Sequence, residues 1–199
     1  MNLLDIRNLS IELKTANQSI LAVDRVSLSM KEGEVRGLVG ESGSGKSLLA
    51  QAIMGVLDEK WSVTADRFHW RGKDLLRFDI EERKKIISND VAMIFQEPMS
   101  CLDPTTNIRS QLEEAIDEKN LTGNFFQKRA ERKMAAINLL HKVGIKNHKT
   151  CLNSYPHQLT EALCQRVMIA IALARRPILL IADEPTAAME ATNQGQIYR

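Results

Sequence analysis

The sequence predicts an α/β fold, and three observations predict it. A glycine-rich stretch, Gly40-Glu41-Ser42-Gly43-Ser44-Gly45-Lys46-Ser47, stands between a strand-length apolar run and a helix-forming one. Two more short apolar runs, residues 91–95 and 178–182, give way to polar or acidic residues, as buried parallel strands do at the ligand end of a sheet. Ahead of the loop the chain alternates apolar and polar residues with a period of two, the pattern of half-buried antiparallel strands.

In order along the chain, Leu4, Ile6, Leu9, Ile11 and Leu13 supply the first alternation and Val26, Leu28 and Met30 the second. The turn-like Thr15-Ala16-Asn17-Gln18-Ser19 separates them. Lys31-Glu32-Gly33-Glu34 is a turn, and residues 35–39 are expected to form the strand that enters the loop. Residues 47–54 form the helix that leaves it. Residues 64–70 read as one short strand, 71–74 as a turn, and 81–87 as a charged helix with a Glu81/Lys85 pair. From Thr106 to about Leu163 the pattern is helical, with helices over 107–119 and 127–142 joined by residues 120–124. In the second of these, Ala130, Met134, Ile137 and Leu140 are expected to face a core, and Lys128, Arg129, Arg132 and Lys133 the solvent.

Composition narrows the function. A chain of 199 residues, 44% hydrophobic and 26% charged, is an ordinary globular protein large enough for one well-buried domain. A net charge of +2 argues against steering toward nucleic acid or an acidic membrane face. Residues 1–20 lack a basic region followed by an apolar stretch, and the run 178–182 is far too short to span a bilayer. The expected location is therefore the cytoplasm, with any membrane contact made through a partner. Cys101, Cys151 and Cys164 have no metal-ligand spacing and read as free thiols.

The chemistry lies in three places. Residues 40–47 fit the pattern G-x-x-x-x-G-K-[ST] without a mismatch: glycines let backbone N–H groups approach phosphate, Lys46 reaches the β- and γ-phosphates, and the Ser47 hydroxyl meets Mg²⁺. Gln96, just past the run 91–95, is a candidate for Mg²⁺ or an attacking water, with a plain strand cap as the alternative. Asp183 and Glu184 put two carboxylates at the end of a buried strand, where a cation or a reacting water must answer them. Asp183 would hold the metal and Glu184 would polarise the water attacking the γ-phosphate.

Taken together, GLVGESGSGKS, AMIFQEPMSCLDP, YPHQL and QRVMIAIALARRPILLIADEPT resemble the nucleotide-binding subunits of ABC transporters, in particular the oligopeptide and dipeptide importer branch, over the whole chain. The resemblance implies a single cassette domain of the P-loop NTPase class: an N-terminal antiparallel part, a RecA-like core and a helical subdomain over about 106–163. It implies that Gly40, Glu41, Ser42, Gly43, Ser44, Gly45, Lys46 and Ser47 bind ATP, that Ser47, Gln96 and Asp183 surround Mg²⁺, and that Glu184 is the catalytic base. It further implies a second ATP-binding subunit closing head to tail over two nucleotides. Transmembrane permease subunits would receive the motion through residues 97–103, at the cytoplasmic face of a bacterial inner membrane.

The sequence departs from that family in several places. The signature LSGGQ appears as Leu159-Thr160-Glu161-Ala162-Leu163, keeping a hydroxyl at Thr160 but replacing both glycines. A carboxylate about 5 Å from a phosphate at an effective dielectric near 20 costs on the order of 3 kcal/mol per unit charge. The site that this signature completes is thus expected to be weak, and the partner to be a different chain. Ile20 stands where relatives stack an aromatic residue on adenine, and Glu190 where they end a small stretch in Asp. Residues 192–199 read as the start of a helix, and none of His69, His141, His148 or His157 falls at the family's switch histidine. Two readings follow: an ATP-hydrolysing subunit powering peptide transport, represented by an incomplete copy, or an ATP-binding regulatory partner that does not turn over. A P-loop machine acting on DNA or ribosomes would require a second nucleotide domain or a basic stripe, and neither is present.

Overall fold

The computed structural model describes residues 2–15, 18–117 and 121–183. They fall into two compact units, Met1–Val91 and Ala92–Arg199.

In the first unit β1 (Leu4–Lys14) is the spine. It pairs antiparallel with β2 (Ser19–Met30) on one edge, and on the other with β3 (Trp61–Thr64) and β4 (Arg67–Trp70), the latter joined by β5 (Lys73–Asp74). The inward residues Leu4, Ile6, Leu9 and Ile11 are at most 1% exposed, and Leu4 and Ile6 stand opposite the likewise buried Trp70 and Phe68 of β4. Their spacing breaks between Ile6 and Leu9 because β1 is irregular there. Asn8 takes a left-handed conformation (φ 49°), as short polar side chains do more readily than others. Its N–H donates to Ser27 Oγ at 3.0 Å and its Nδ2 to Asp66 Oδ2 at 2.6 Å. The same irregularity corrects the expected single strand over 64–70. With the β1 ladder interrupted at residues 8–9, the opposing chain breaks at Ala65-Asp66 into β3 and β4.

Two helices complete this unit. α1 (Lys46–Met54) buries Leu49, Ala52 and Ile53 and ends on Gly55 at φ 69°. α2 (Ile80–Ile87) opens with a capping box between Asp79 and Glu82. Its surface ion pair joins Glu81 to Lys84 at 3.0 Å, one residue short of the expected Lys85.

The largest correction concerns residues 35–39. They carry no ladder among the described residues, and Val35 and Val39 are 98% and 95% exposed. An apolar run states only that burial is favourable. A strand also needs a neighbour to take its backbone hydrogen bonds, and none of the described residues supplies one here.

The second unit is organised by α7 (Glu161–Ala174), which is apolar nearly all round and buries Cys164, Val167, Met168, Ile169, Ala170 and Ala172. One side packs with α4 (Ile108–Ala115), α5 (Phe125–Lys142) and α6 (His148–Asn153) in a cluster built on Leu112, Leu140, Leu152 and Val167. The other side, through Met168, Ile169 and Ala172, meets Ala92 and Ile94 of β6 (Val91–Ile94). The strand β7 (Leu179–Ala182) pairs with β6, and a short helix, α3 (Pro98–Cys101), follows β6. Asn107 caps α4, which is shorter than expected. Asn124 and Gln127 form a capping box that starts α5 two residues early.

Only half of the expected α5 core face is buried. Leu140 is fully buried and Ile137 partly so, whereas Ala130 is exposed and Met134 is 56% exposed. The buried stripe runs instead through Ala136 and Leu140.

Candidate nucleotide site

The phosphate-binding pattern folds as an open loop closed by its own lysine. Lys46 Nζ donates to the carbonyl oxygens of Gly40 and Glu41 at 2.9 and 2.7 Å, with Ser44 Oγ at 3.4 Å. All three ammonium protons thus have acceptors inside the loop. Gly45 is the N-cap of α1 at φ 89°. A β-carbon there would lie 2.7 Å from Val23 Cγ2 and 3.2 Å from the Ala22 carbonyl oxygen, so the loop seats directly on β2 and only glycine fits.

The start of α1 is prepared for an anion. No side chain caps it, and no acidic residue sits in its first turn. Asp79, Asn107, Asn124 and Thr160 cap α2, α4, α5 and α7 with side-chain oxygens. The free N–H groups and partial positive charge of α1 are what a phosphate group takes up at such an end. Residues 40–44 are exposed, as is Ser47.

In the second unit the structure brings two sequence candidates to one end of the sheet. The N–H of Asp183 donates to the carbonyl of Ile94, the last residue of β6, at 2.9 Å. The carboxyl ends of β6 and β7 therefore lie side by side, with Gln96 two residues beyond one and Asp183 directly beyond the other. Glu184 and Glu190, together with residues 192–199, lie outside the described residues.

The altered signature is resolved in detail. Thr160 is the N-cap of α7, its Oγ1 accepting from the Leu163 N–H at 3.3 Å, and Glu161 is the first helical residue. This helix start already holds a side-chain cap and a carboxylate, the reverse of α1. Ile20 is 45% exposed on β2, three residues before Val23.

The sequence reading missed one surface. Phe125 and Phe126 are 73% and 79% exposed, in edge-to-face contact with centroids 5.7 Å apart. Phe126, Ala130 and Met134 recur every four residues and form a second apolar stripe on α5, apart from the buried one. The signal was present: a single helix cannot bury two apolar stripes against one core.

A glycine-rich loop feeding an uncapped helix, followed later in the sequence by strand ends that carry Gln96 and Asp183, is the order of parts of a P-loop α/β protein. The family profile described as ABC transporter matches residues 23–187, and the chain belongs to that family. It is 57% identical over 199 residues to the peptide transport system ATP-binding protein SapD of Escherichia coli O6:H1, covering 100% of this chain and 60% of that protein. It is 46% identical over 197 residues to the dipeptide transport ATP-binding protein DppD of Escherichia coli K12, covering 99% of this chain and 59% of that one. The chain thus spans about three fifths of the length of these relatives. A dimeric bacterial ABC transporter cassette aligns with TM-score 0.82 and 27% identity, over 98% of this chain and 79% of that one. A post-hydrolysis dimer bound to ADP and Pi aligns at 0.79 with 27% identity, covering 98% of this chain and 79% of that one.

Proposed function

We propose that this chain is the ATP-binding, energy-coupling part of a bacterial peptide-transport ABC system, working at the cytoplasmic face of the inner membrane with permease subunits and a second cassette. The observation that carries the reading is the phosphate loop, with its lysine gathered against loop carbonyls and its helix left uncapped for an anion. Residues 40–47 hold the ATP phosphates. The hydroxyl of Ser47, the amide of Gln96 and the carboxylate of Asp183 are hard oxygen donors suited to Mg²⁺, which neutralises phosphate charge when bound. Glu184 is assigned as the base. Peptide transport is supported by the names of the SapD and DppD relatives.

Two surfaces support permease docking. Residues 97–103 present Met99 at 45% exposure, and α5 presents the Phe125, Phe126 and Met134 stripe. Among the described residues no helix is long and apolar enough to cross a membrane.

The test is equilibrium binding of Mg-ATP to the chain and to Lys46→Ala. Saturable binding that falls at least tenfold in the variant is expected. Equal binding by both would reject the reading.

The structure of the signature favours a heterodimeric sandwich with unequal sites. Thr160 Oγ1 is engaged as a cap and Glu161 occupies the first helical position, so this signature offers a partner's phosphate neither a free helix end nor a neutral surface. This chain's own phosphate loop then faces an intact signature on a different cassette. Blocking each phosphate loop in turn and finding equal residual ATPase rates would contradict that arrangement.

A further inference from the structure

A cavity of about 150 Å³ lies in the first unit, where the end of α1, the start of β3 and the middle of α2 meet. Its walls are of two kinds. Ala52, Leu57, Trp61 and Val63 are its apolar lining residues, and Arg83 and Asp58 its charged ones.

Arg83 is the unusual member. It is partly buried, its stem packs beside Gly55, and its guanidinium lies 5.9 Å over the ring of Phe68. Its Nε donates to the Leu75 carbonyl at 3.1 Å. Its two terminal nitrogens have no hydrogen-bond or carboxylate partner among the described residues. Burial also works against its charge. A part-buried cation is costly to leave unanswered, and a fork of free N–H donors is the geometry that binds a carboxylate through two parallel bonds. Asp58 lines the same cavity without closing an ion pair on Arg83, so both charges remain available to a ligand.

We propose that this cavity is a binding site for a free apolar α-amino acid: the carboxylate sits on Arg83, the ammonium on Asp58, and the side chain lies against Trp61, Leu57 and Val63. The volume is of the order filled by one such molecule, and the lining offers about as much polar as apolar surface, which suits a zwitterion that carries an apolar side chain. A simple inorganic anion would leave both Asp58 and the apolar wall unanswered. The cavity adjoins the last turn of α1, whose first turn carries Lys46. The assignment does not depend on the nucleotide reading.

The test is calorimetric titration of the full chain with L-leucine, isocaproate, which lacks the ammonium, and isoamylamine, which lacks the carboxylate. Leucine is expected to bind, with each analogue at least tenfold weaker. Arg83→Met, which keeps the stem packing, abolishes leucine binding. Asp58→Asn, at an exposed position, weakens it about tenfold and leaves isocaproate unchanged. No leucine binding up to ~10 mM, an affinity weaker than that of most metabolite sites, would overturn the proposal. So would binding that is equal for leucine and isoamylamine. The analogue series uses the unaltered protein, so it decides the matter even if Arg83→Met does not fold.

Discussion

Gly45 and Val23 touch so closely that a β-carbon on the glycine would stand 2.7 Å from Val23 Cγ2. The wall that shapes the phosphate loop therefore belongs to β2, a strand of the antiparallel sheet, and to its backbone at Ala22, whose carbonyl would lie 3.2 Å from the same β-carbon. Gly45→Ala adds left-handed strain, about 1–2 kcal/mol, to an overpacking cost of about 1–3 kcal/mol. Thermal unfolding is expected to show that loss, and Mg-ATP binding is expected to weaken with it. Val23→Ala in the same chain removes the side-chain clash but neither the strain nor the carbonyl contact. The double variant should therefore recover part of the stability, and full recovery or none would show that β2 does not seat the loop.

The signature makes a second prediction. In the heterodimer proposed above, Glu161→Gly together with Ala162→Gly removes a carboxylate worth on the order of 3 kcal/mol against a phosphate about 5 Å away. ATPase activity at the partner's phosphate loop should rise by one to two powers of ten, while that at this chain's own loop stays level. The measurement is hydrolysis with one loop blocked at a time. An unchanged rate at the partner's loop would mean that Glu161 points away from the nucleotide.

The parts of the fold that were readable in advance were those fixed by local chemistry. The loop pattern, the period-two strands and the polar ends of β6 and β7 each depend on neighbours in sequence. The bulge at Asn8, which splits residues 61–70 into two strands, depends on a cross-strand bond to Ser27, and nothing local announces it. Residues 35–39 and the Ala130–Met134 face failed for a shared reason. Apolar spacing states that a face is to be covered, and the covering group need not be among the residues the structure describes. Candidate site residues fared likewise: Gln96 and Asp183 reach one sheet end through β6–β7 pairing, while Thr160 proved to be engaged as a cap.

The thiols supply a pH prediction. Burial pushes the Cys151 thiol up from 9.0 to about 11, and burial also raises Cys164, whereas Cys101 is exposed. Near pH 8 an aromatic disulfide reagent should label one thiol of the three quickly, and Cys101→Ser should abolish that phase. For stability, the folded-state value of Cys151 lies above its unfolded one, so the native chain keeps its proton longer. The contribution is complete below pH 9.0 and is lost as pH rises toward about 11. Unfolding midpoints that fall across that window in the wild type, and less steeply in Cys151→Ala, are the expected result.

The exposed stripe of α5 separates folding from docking. Phe125 and Phe126 touch each other and are about three-quarters exposed, so little of their apolar surface is buried by the fold. Replacing both by Ser forfeits an aromatic pair worth about 0.5–1.5 kcal/mol and leaves the Ala136–Leu140 core intact. The variant should fold, bind Mg-ATP like the wild type, and aggregate less, because a contiguous apolar patch has been removed. If the stripe is a permease-docking surface, co-purification of the membrane subunits should fall with it, and ATPase stimulation by them should be lost. Retained association would assign docking to residues 97–103 alone. Loss of nucleotide binding instead would show that the start of α5 supports the fold, contrary to its exposure.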